Sequence, residues 1–288
     1  MKENLKEVAA RPSANAVEIA QYYDANTRKF LRFGGAGETG AIHRAIWAPG
    51  VSSREDAFLF LNRLIADAIK PLLGRNPQES HLVDLGCGVG GTSTFIAREL
   101  GIRVTGISIS DTQIAIANAH IQDSPLQQHV QFVSADFDEL PELGQVDALC
   151  AIESFVHARN ASNFFSQAAA TLRANGRLIV CDDFLGESVP EEGWRHVARF
   201  RRGWQLNSLI TVSEIERLAL LHGFRLVESH SLSQYLRGFP TVVRWAISTI
   251  CAIPLSWAYW QNLSGGTALQ LCVKRGWTQY RALVWEKI

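Results

Sequence analysis

The residues best suited to chemistry begin with Val83-Asp84-Leu85-Gly86-Cys87-Gly88-Val89-Gly90-Gly91-Thr92, an apolar run ending in a glycine-rich turn. Glycines at 86, 88 and 90 let backbone N–H groups approach a ligand and permit φ > 0, and a helix opening there favours an anion. Cys87 reads as a small residue packed in the loop, not a nucleophile. Asp84, just before the loop, can organise the turn or accept from a ligand's amino group, leaving the glycine amides to meet a carboxylate. Gly86, Gly88 and Gly91 also fit G-x-G-x-x-G, the dinucleotide fingerprint. A dinucleotide site wants an acid about 20 residues on for the ribose. Ser108 stands there instead, in VTGISISDTQ, with Gln113 beyond it.

A second constellation lies in AIESFVHARN, where Glu153 and His157 are four apart and share a face if a helix begins there. A carboxylate and an imidazole so placed can orient an acceptor, take a proton or stabilise developing positive charge. Tyr22 and Tyr23 offer aromatic faces to a cationic centre and phenols to position a base. Arg195, Arg199 and Arg202 recur at i, i+4, i+7 in EEGWRHVARFRRGW. Converging guanidinium groups would clamp a diphosphate or carboxylate, whereas pairing with Glu191 and Glu192 would make the same face a solvated one.

These groups need a frame to hold them. Short apolar runs at 81–85, 102–108, 130–135, 146–152 and 177–183 alternate with helical or loop stretches. That pattern predicts successive βαβ units and an α/β fold with a doubly wound, mainly parallel sheet. Runs at 224–231 and 280–287 bring the expected strands to seven. Ligands in such sheets bind beyond the carboxyl ends of the strands, near the reversal of strand order. Asn15-x-x-Glu18 and Ser52-x-x-Glu55 look like capping boxes, opening helices that stop at Gly34-Gly35 and Pro71. Further helices are expected over 213–221 and near 264–275.

The expected organisation is a helical lid and substrate cap over 1–80, a core over 81–231, a hydrophobic helical insert over 232–277 and a last strand over 278–288. Within the insert, fourteen of the twenty residues 241–260 are hydrophobic. Pro254 and a following strand argue for a buried or cavity-covering segment instead of a membrane span. Twenty-eight basic and twenty-eight acidic side chains cancel, so no bulk field recruits nucleic acid or an anionic membrane. Five cysteines without C-x-x-C spacing argue against a disulfide framework or a cysteine zinc site, and no metal is expected. The charged N-terminus lacks the apolar run of a signal peptide, which makes the cytoplasm the expected location.

With VDLGCGVGG, SADFDELP (134–141) and LRANGRLIVCDDF (172–184) together, the chain resembles class I S-adenosylmethionine-dependent methyltransferases. The resemblance implies a seven-stranded Rossmann-like methyltransferase sheet with S-adenosyl-L-methionine as cofactor. It implies Asp136 toward the adenine amine and Phe137 beside the ring. VTGISIS-x-x-Gln is similar to the variant in the cyclopropane-synthase, tocopherol and prenyl diphosphate C-methyltransferase branch, which gives Gln113 the ribose hydroxyls. E-S-x-x-H and the YYD segment resemble the same branch, where the glutamate meets the reacting centre or positions a base and a tyrosine covers the sulfonium. A hydrophobic small-molecule acceptor follows, with carbon methylation of an isoprenoid diphosphate as the first expectation. The alternatives are O- or N-methylation of a phenol, quinone or alkaloid-like metabolite and, more remotely, an NAD(P)-dependent oxidoreductase. Homo-oligomerisation through exposed parts of the N-terminal helix or the insert is left open.

Overall fold

The computed structural model of the chain describes residues 14–33, 40, 42–238 and 258–288. The apolar segment 241–257, the heart of the expected insert, lies outside the described residues. Seven strands form one sheet: β1 (His81–Leu85), β2 (Arg103–Ser108), β3 (Val130–Ser134), β4 (Val146–Ile152), β5 (Leu172–Leu185), β6 (Phe224–Ser231) and β7 (Thr278–Lys287). Their order is β3-β2-β1-β4-β5-β7-β6. The first five are parallel, and β7 runs antiparallel between β5 and β6. This is the doubly wound, mainly parallel, seven-stranded sheet that the sequence implied.

Eight helices are described: α1 (Ala16–Phe33), α2 (Arg54–Ile69), α3 (Gly91–Leu100), α4 (Asp111–Ile121), α5 (Ala161–Thr171), α6 (Glu191–Trp204), α7 (Val212–Leu221) and α8 (Ala258–Arg275). The capping box of α1 forms as read, with Asn15 N–H donating to Glu18 Oε2 at 2.8 Å and Glu18 N–H to Asn15 Oδ1 at 3.0 Å. The cap of α2 sits one residue later than read: Ser53 Oγ accepts from Asp56 N–H at 3.0 Å. That choice also lets Ser53 donate to the Asp56 carboxylate, a bond Ser52 and Glu55 do not make.

Central strands are apolar on both faces because helices cover both. Ile65, Ile96 and Ala117 of α2–α4 pack on one side with Ile179 and Val284. Phe164, Phe165 and Ile215 of α5 and α7 pack on the other with Leu178 and Trp285. Each such Ile, Leu, Val or Phe side chain, fully buried, contributes about 1.5–3 kcal/mol. A third cluster, around Phe200 and Leu269, joins α6 to α8 beside the sheet. No helix among the described residues is long and apolar enough to cross a membrane.

Candidate active site

At the carboxyl ends of β1, β2, β4 and β5, where strand order reverses, lies a cavity of about 280 Å³. Gly86, Gly88, Ser108, Gln113, Asp136 and Phe137 line one end. Glu153, His157, Tyr22 and Tyr23 line the other, so most of the residues singled out in the sequence are brought to one space.

At the first end, the glycine turn is built from inside. The Gly86 and Cys87 amides both donate to the Ile107 carbonyl, at 2.8 and 2.9 Å, and Gly90 N–H donates to Cys87 O at 3.0 Å. Gly88 is the glycine that faces the cavity with its amide uncommitted among the described residues; a Cβ there would meet only Ile42, at 3.5 Å. Gly86 adopts φ +82°, and a Cβ on it would run into the Ser154 side chain. Asp84, Cys87 and Gly90 do not line the cavity. Asp84 accepts from Ser93 Oγ at 2.7 Å and from the Cys150 thiol at 3.6 Å, tying β1 to α3, and burial pushes its carboxyl up to about 6. Of its two possible roles, this geometry is that of the loop organiser.

Ser108 Oγ donates to Gln113 Oε1 at 2.7 Å, and Gln113 Nε2 donates to Thr27 Oγ1 of α1 at 3.2 Å. Asp24 of α1 accepts from Ser110 Oγ and from Thr112 N–H, so the N-terminal helix is pinned across the start of α4. Asp136 accepts from Asp138 N–H at 2.8 Å and pairs with Arg159 at 2.9 Å. Phe137 meets Phe164 edge-on with ring centroids 6.0 Å apart.

The other end differs from the helical face drawn from the sequence. Glu153 takes φ +50°, a left-handed conformation, and Phe155–His157 form a 3₁₀ turn, so no helix aligns Glu153 with His157. The sharp turn nevertheless delivers both side chains to the cavity. Glu153 Oε1 accepts three bonds: Arg44 N–H at 2.8 Å, Arg44 Nε at 3.1 Å and Tyr280 O–H at 2.9 Å. Its Oε2 makes none among the described residues. Burial raises the Glu153 pKa, but Arg44 and its other donors outweigh that and hold the carboxyl below its ordinary range.

Arg44 reaches on to Asp183, with contacts of 2.6 and 3.3 Å, and its guanidinium lies 3.9 Å from the Tyr280 ring centroid. Antiparallel pairing of Asp183 with Tyr280 sets those two side by side. Burial pushes Asp183 up to about 6 despite Arg44. Asp182, which accepts from Val156 and Asp183 amides, is raised by burial and by the Asp183 charge.

His157 Nδ1 lies 3.2 Å from the Gln205 carbonyl, which only accepts, so Nδ1 carries the hydrogen. Its Nε2 therefore holds the lone pair and accepts from Tyr23 O–H at 2.8 Å. Burial lowers the imidazole pKa to about 4, against partial support from Gln205 and Glu153, so the ring is neutral at pH 7. Tyr22 meets Tyr23 edge-on at 5.2 Å and accepts from the Asn262 amide of α8. Burial raises both phenols, which stay protonated donors.

Arg195, Arg199 and Arg202 are not brought to the cavity. Arg195 and Arg202 are exposed, and Arg199 donates to Ser264 of α8. The cavity's arginines are Arg44 and Arg159, and each is held by at least two carboxylates. Sequence reasoning missed His43, Arg44, Tyr280 and the use of Asp182 and Asp183. Only the two aspartates carried a signal, as paired acids at the end of a buried strand.

A family described as Methyltransferase domain matches residues 56–229. An O-methyltransferase of Pyrenophora dematioidea is 29% identical over 229 residues, 79% of this chain and 82% of that protein. The 27-O-demethylrifamycin SV methyltransferase of Amycolatopsis mediterranei is 28% identical over 79% of this chain and 80% of its own. Geranyl diphosphate C-methyltransferase from Streptomyces coelicolor superposes with a TM-score of 0.71 at 18% identity, covering 96% of this chain and 99% of that one. The last likeness is one of fold.

Proposed function

Because this chain belongs to the methyltransferase-domain family and is an S-adenosylmethionine-dependent methyltransferase, we propose that it methylates a hydroxyl oxygen of a hydrophobic small molecule. The observation carrying this reading is the neutral His157, whose Nδ1–H is held by the Gln205 carbonyl so that its Nε2 lone pair accepts from the hydroxyl of Tyr23, both side chains lining the cavity. Bound S-adenosylmethionine supplies a sulfonium methyl already activated for in-line displacement, with S-adenosylhomocysteine leaving. The chain's residues hold it: the Gly88 amide toward the carboxylate, Gln113 and Ser108 toward the ribose, Asp136 and Phe137 toward the adenine. The open face of Gly88 and the polar groups along that end fit such a ligand.

Alignment of acceptor and methyl is worth about 7–11 kcal/mol, and a positioned base about 10²–10⁴-fold. The Tyr23 oxygen takes the acceptor's proton while its own passes to His157 Nε2. A base with a pKa of about 4 suffices, because an oxygen gaining a methyl becomes an oxonium and loses its proton readily. Glu153 favours the resulting imidazolium electrostatically.

Carbon methylation of a prenyl diphosphate keeps the support of the motifs that resemble that branch and of a shared fold, but loses the arginine face, which lies off the cavity. The test is transfer from methyl-labelled S-adenosylmethionine to a panel of phenols, hydrophobic alcohols, amines and prenyl diphosphates. Label should enter hydroxyl acceptors and fall about 10²–10⁴-fold in His157→Gln with cofactor binding retained. Label entering only the carbon of a prenyl diphosphate overturns the proposal.

A further inference from the structure

Charge at the acceptor end is lopsided. Arg44 is the cation there, paired with the Glu153 and Asp183 carboxylates, and the Asp182 carboxyl also lines the cavity. The exposed fraction of the Asp183 side chain is only 3%, so water does little to screen it. One acceptor atom of the lining meanwhile lacks a donor: Glu153 Oε2 carries no hydrogen bond among the described residues.

We infer that this end of the cavity selects acceptors that present a hydrogen-bond donor and carry no anionic group, and that the Arg44–Asp183 pair sets the preference. The inference rests on the hydroxyl-acceptor reading above. A hydroxyl or ammonium group satisfies Glu153 Oε2, whereas a carboxylate or phosphate gives it nothing. An anion would also enter a region where two carboxylates already divide the one guanidinium. Asp183 thus keeps Arg44 from serving as an anion site.

The test uses calorimetric titration of the full chain saturated with S-adenosylhomocysteine. The titrants are three matched ligands: a para-hydroxyphenyl ester, the corresponding amine and the corresponding free carboxylate. The ester and amine should bind, with the carboxylate weaker by about tenfold or more. In Asp183→Asn, Arg44 is left with charge to spare, and the carboxylate should gain on the ester by about tenfold. Should that variant fail to fold, Glu153→Gln lifts the other carboxylate and predicts the same direction. A carboxylate that binds the wild type as tightly as its ester overturns the inference, as does a gap unmoved in the folded variant. Failure of all three ligands counts against the hydroxyl-acceptor reading itself.

Discussion

Replacing Arg44 by glutamine tests the acceptor end without knowledge of the acceptor. The side chains of Arg44, Glu153 and Asp183 are 20%, 17% and 3% exposed, which puts the pair in the buried regime. Removing one partner of a buried pair costs about 3–5 kcal/mol, because the charge left behind is uncompensated. Arg44→Gln should therefore be destabilised by about that amount at pH 7. The pH dependence has a definite sign. Asp183 is raised to about 6 even with Arg44 present, and without it Asp183 rises further while Glu153 loses the partner that holds it down. As pH falls from 7 to 5, the folded variant takes up protons that the unfolded chain does not yet bind. Each such proton returns about 1.4 kcal/mol per pH unit, so the gap to wild type narrows by about 1–2 kcal/mol. Urea unfolding followed by circular dichroism at both pH values measures it. A loss under about 1 kcal/mol at pH 7, the range of an exposed pair, refutes the reasoning. So does a gap that stays constant with pH.

Three further outcomes are expected. Gly86→Ala combines φ +82° with a collision against Ser154; it should cost at least about 1–2 kcal/mol in a melting experiment and weaken S-adenosylhomocysteine binding in a fluorescence titration. Asp24→Ala removes acceptors for Ser110 and Thr112 and loosens α1 from α4; cofactor affinity should fall by about tenfold, with faster hydrogen exchange across α1. His157, lowered to about 4 from an ordinary 6.5, stays neutral in the folded chain while the unfolded chain protonates. Its stabilising contribution, about 3 kcal/mol at most, is present above pH 6.5 and lost on falling to 4. Asp84 and Asp183 act in the opposite sense over that window, being raised, so the wild-type minus His157→Gln difference in urea stability is the quantity to follow.

Much of the sheet was legible because buried strands write themselves as short apolar runs. HLVDL, VDALCAI and FRLVESHS coincide with β1, β4 and β6. The fifth apolar run, 177–183, is shorter than its strand, because β5 starts at Leu172 and passes through polar Arg173, Asn175 and Arg177, which no apolar pattern announces. Helix α6 shows the reverse difficulty. Arg195, Arg199 and Arg202 share a helical face, but periodicity does not say which face looks inward. The neighbours do: Val197, Phe200 and Trp204 lie opposite the arginines and pack into the cluster with α8. The spacing that suggested an anion clamp belongs to the polar side of an amphipathic helix, with Arg195 and Arg202 exposed and Arg199 bonded to Ser264 of α8.

The two ends of the cavity differ in legibility for one physical reason. The end proposed for the cofactor is assembled from residues 86–137, delivered at the carboxyl ends of parallel strands or in the turn or first helical turn beyond them, so chain order and spatial order agree and short motifs suffice. The acceptor end is assembled from α1, the irregular segment holding His43 and Arg44, the turn after β4, the end of β5, and the start of β7. Arg44 and Asp183 are 139 residues apart, and Tyr280 and Glu153 are 127 apart. Only the antiparallel return of β7 beside β5 places Tyr280 against Asp183, and only then does Glu153 Oε1 gain its third donor. Glu153 holds its left-handed turn beneath that set of bonds, a conformation that costs about 1–3 kcal/mol and persists where surroundings over-determine it. The acceptor end therefore depends on the last strand as much as on the turn that carries its glutamate, and loosening β7 should disable acceptor recognition before it releases the cofactor.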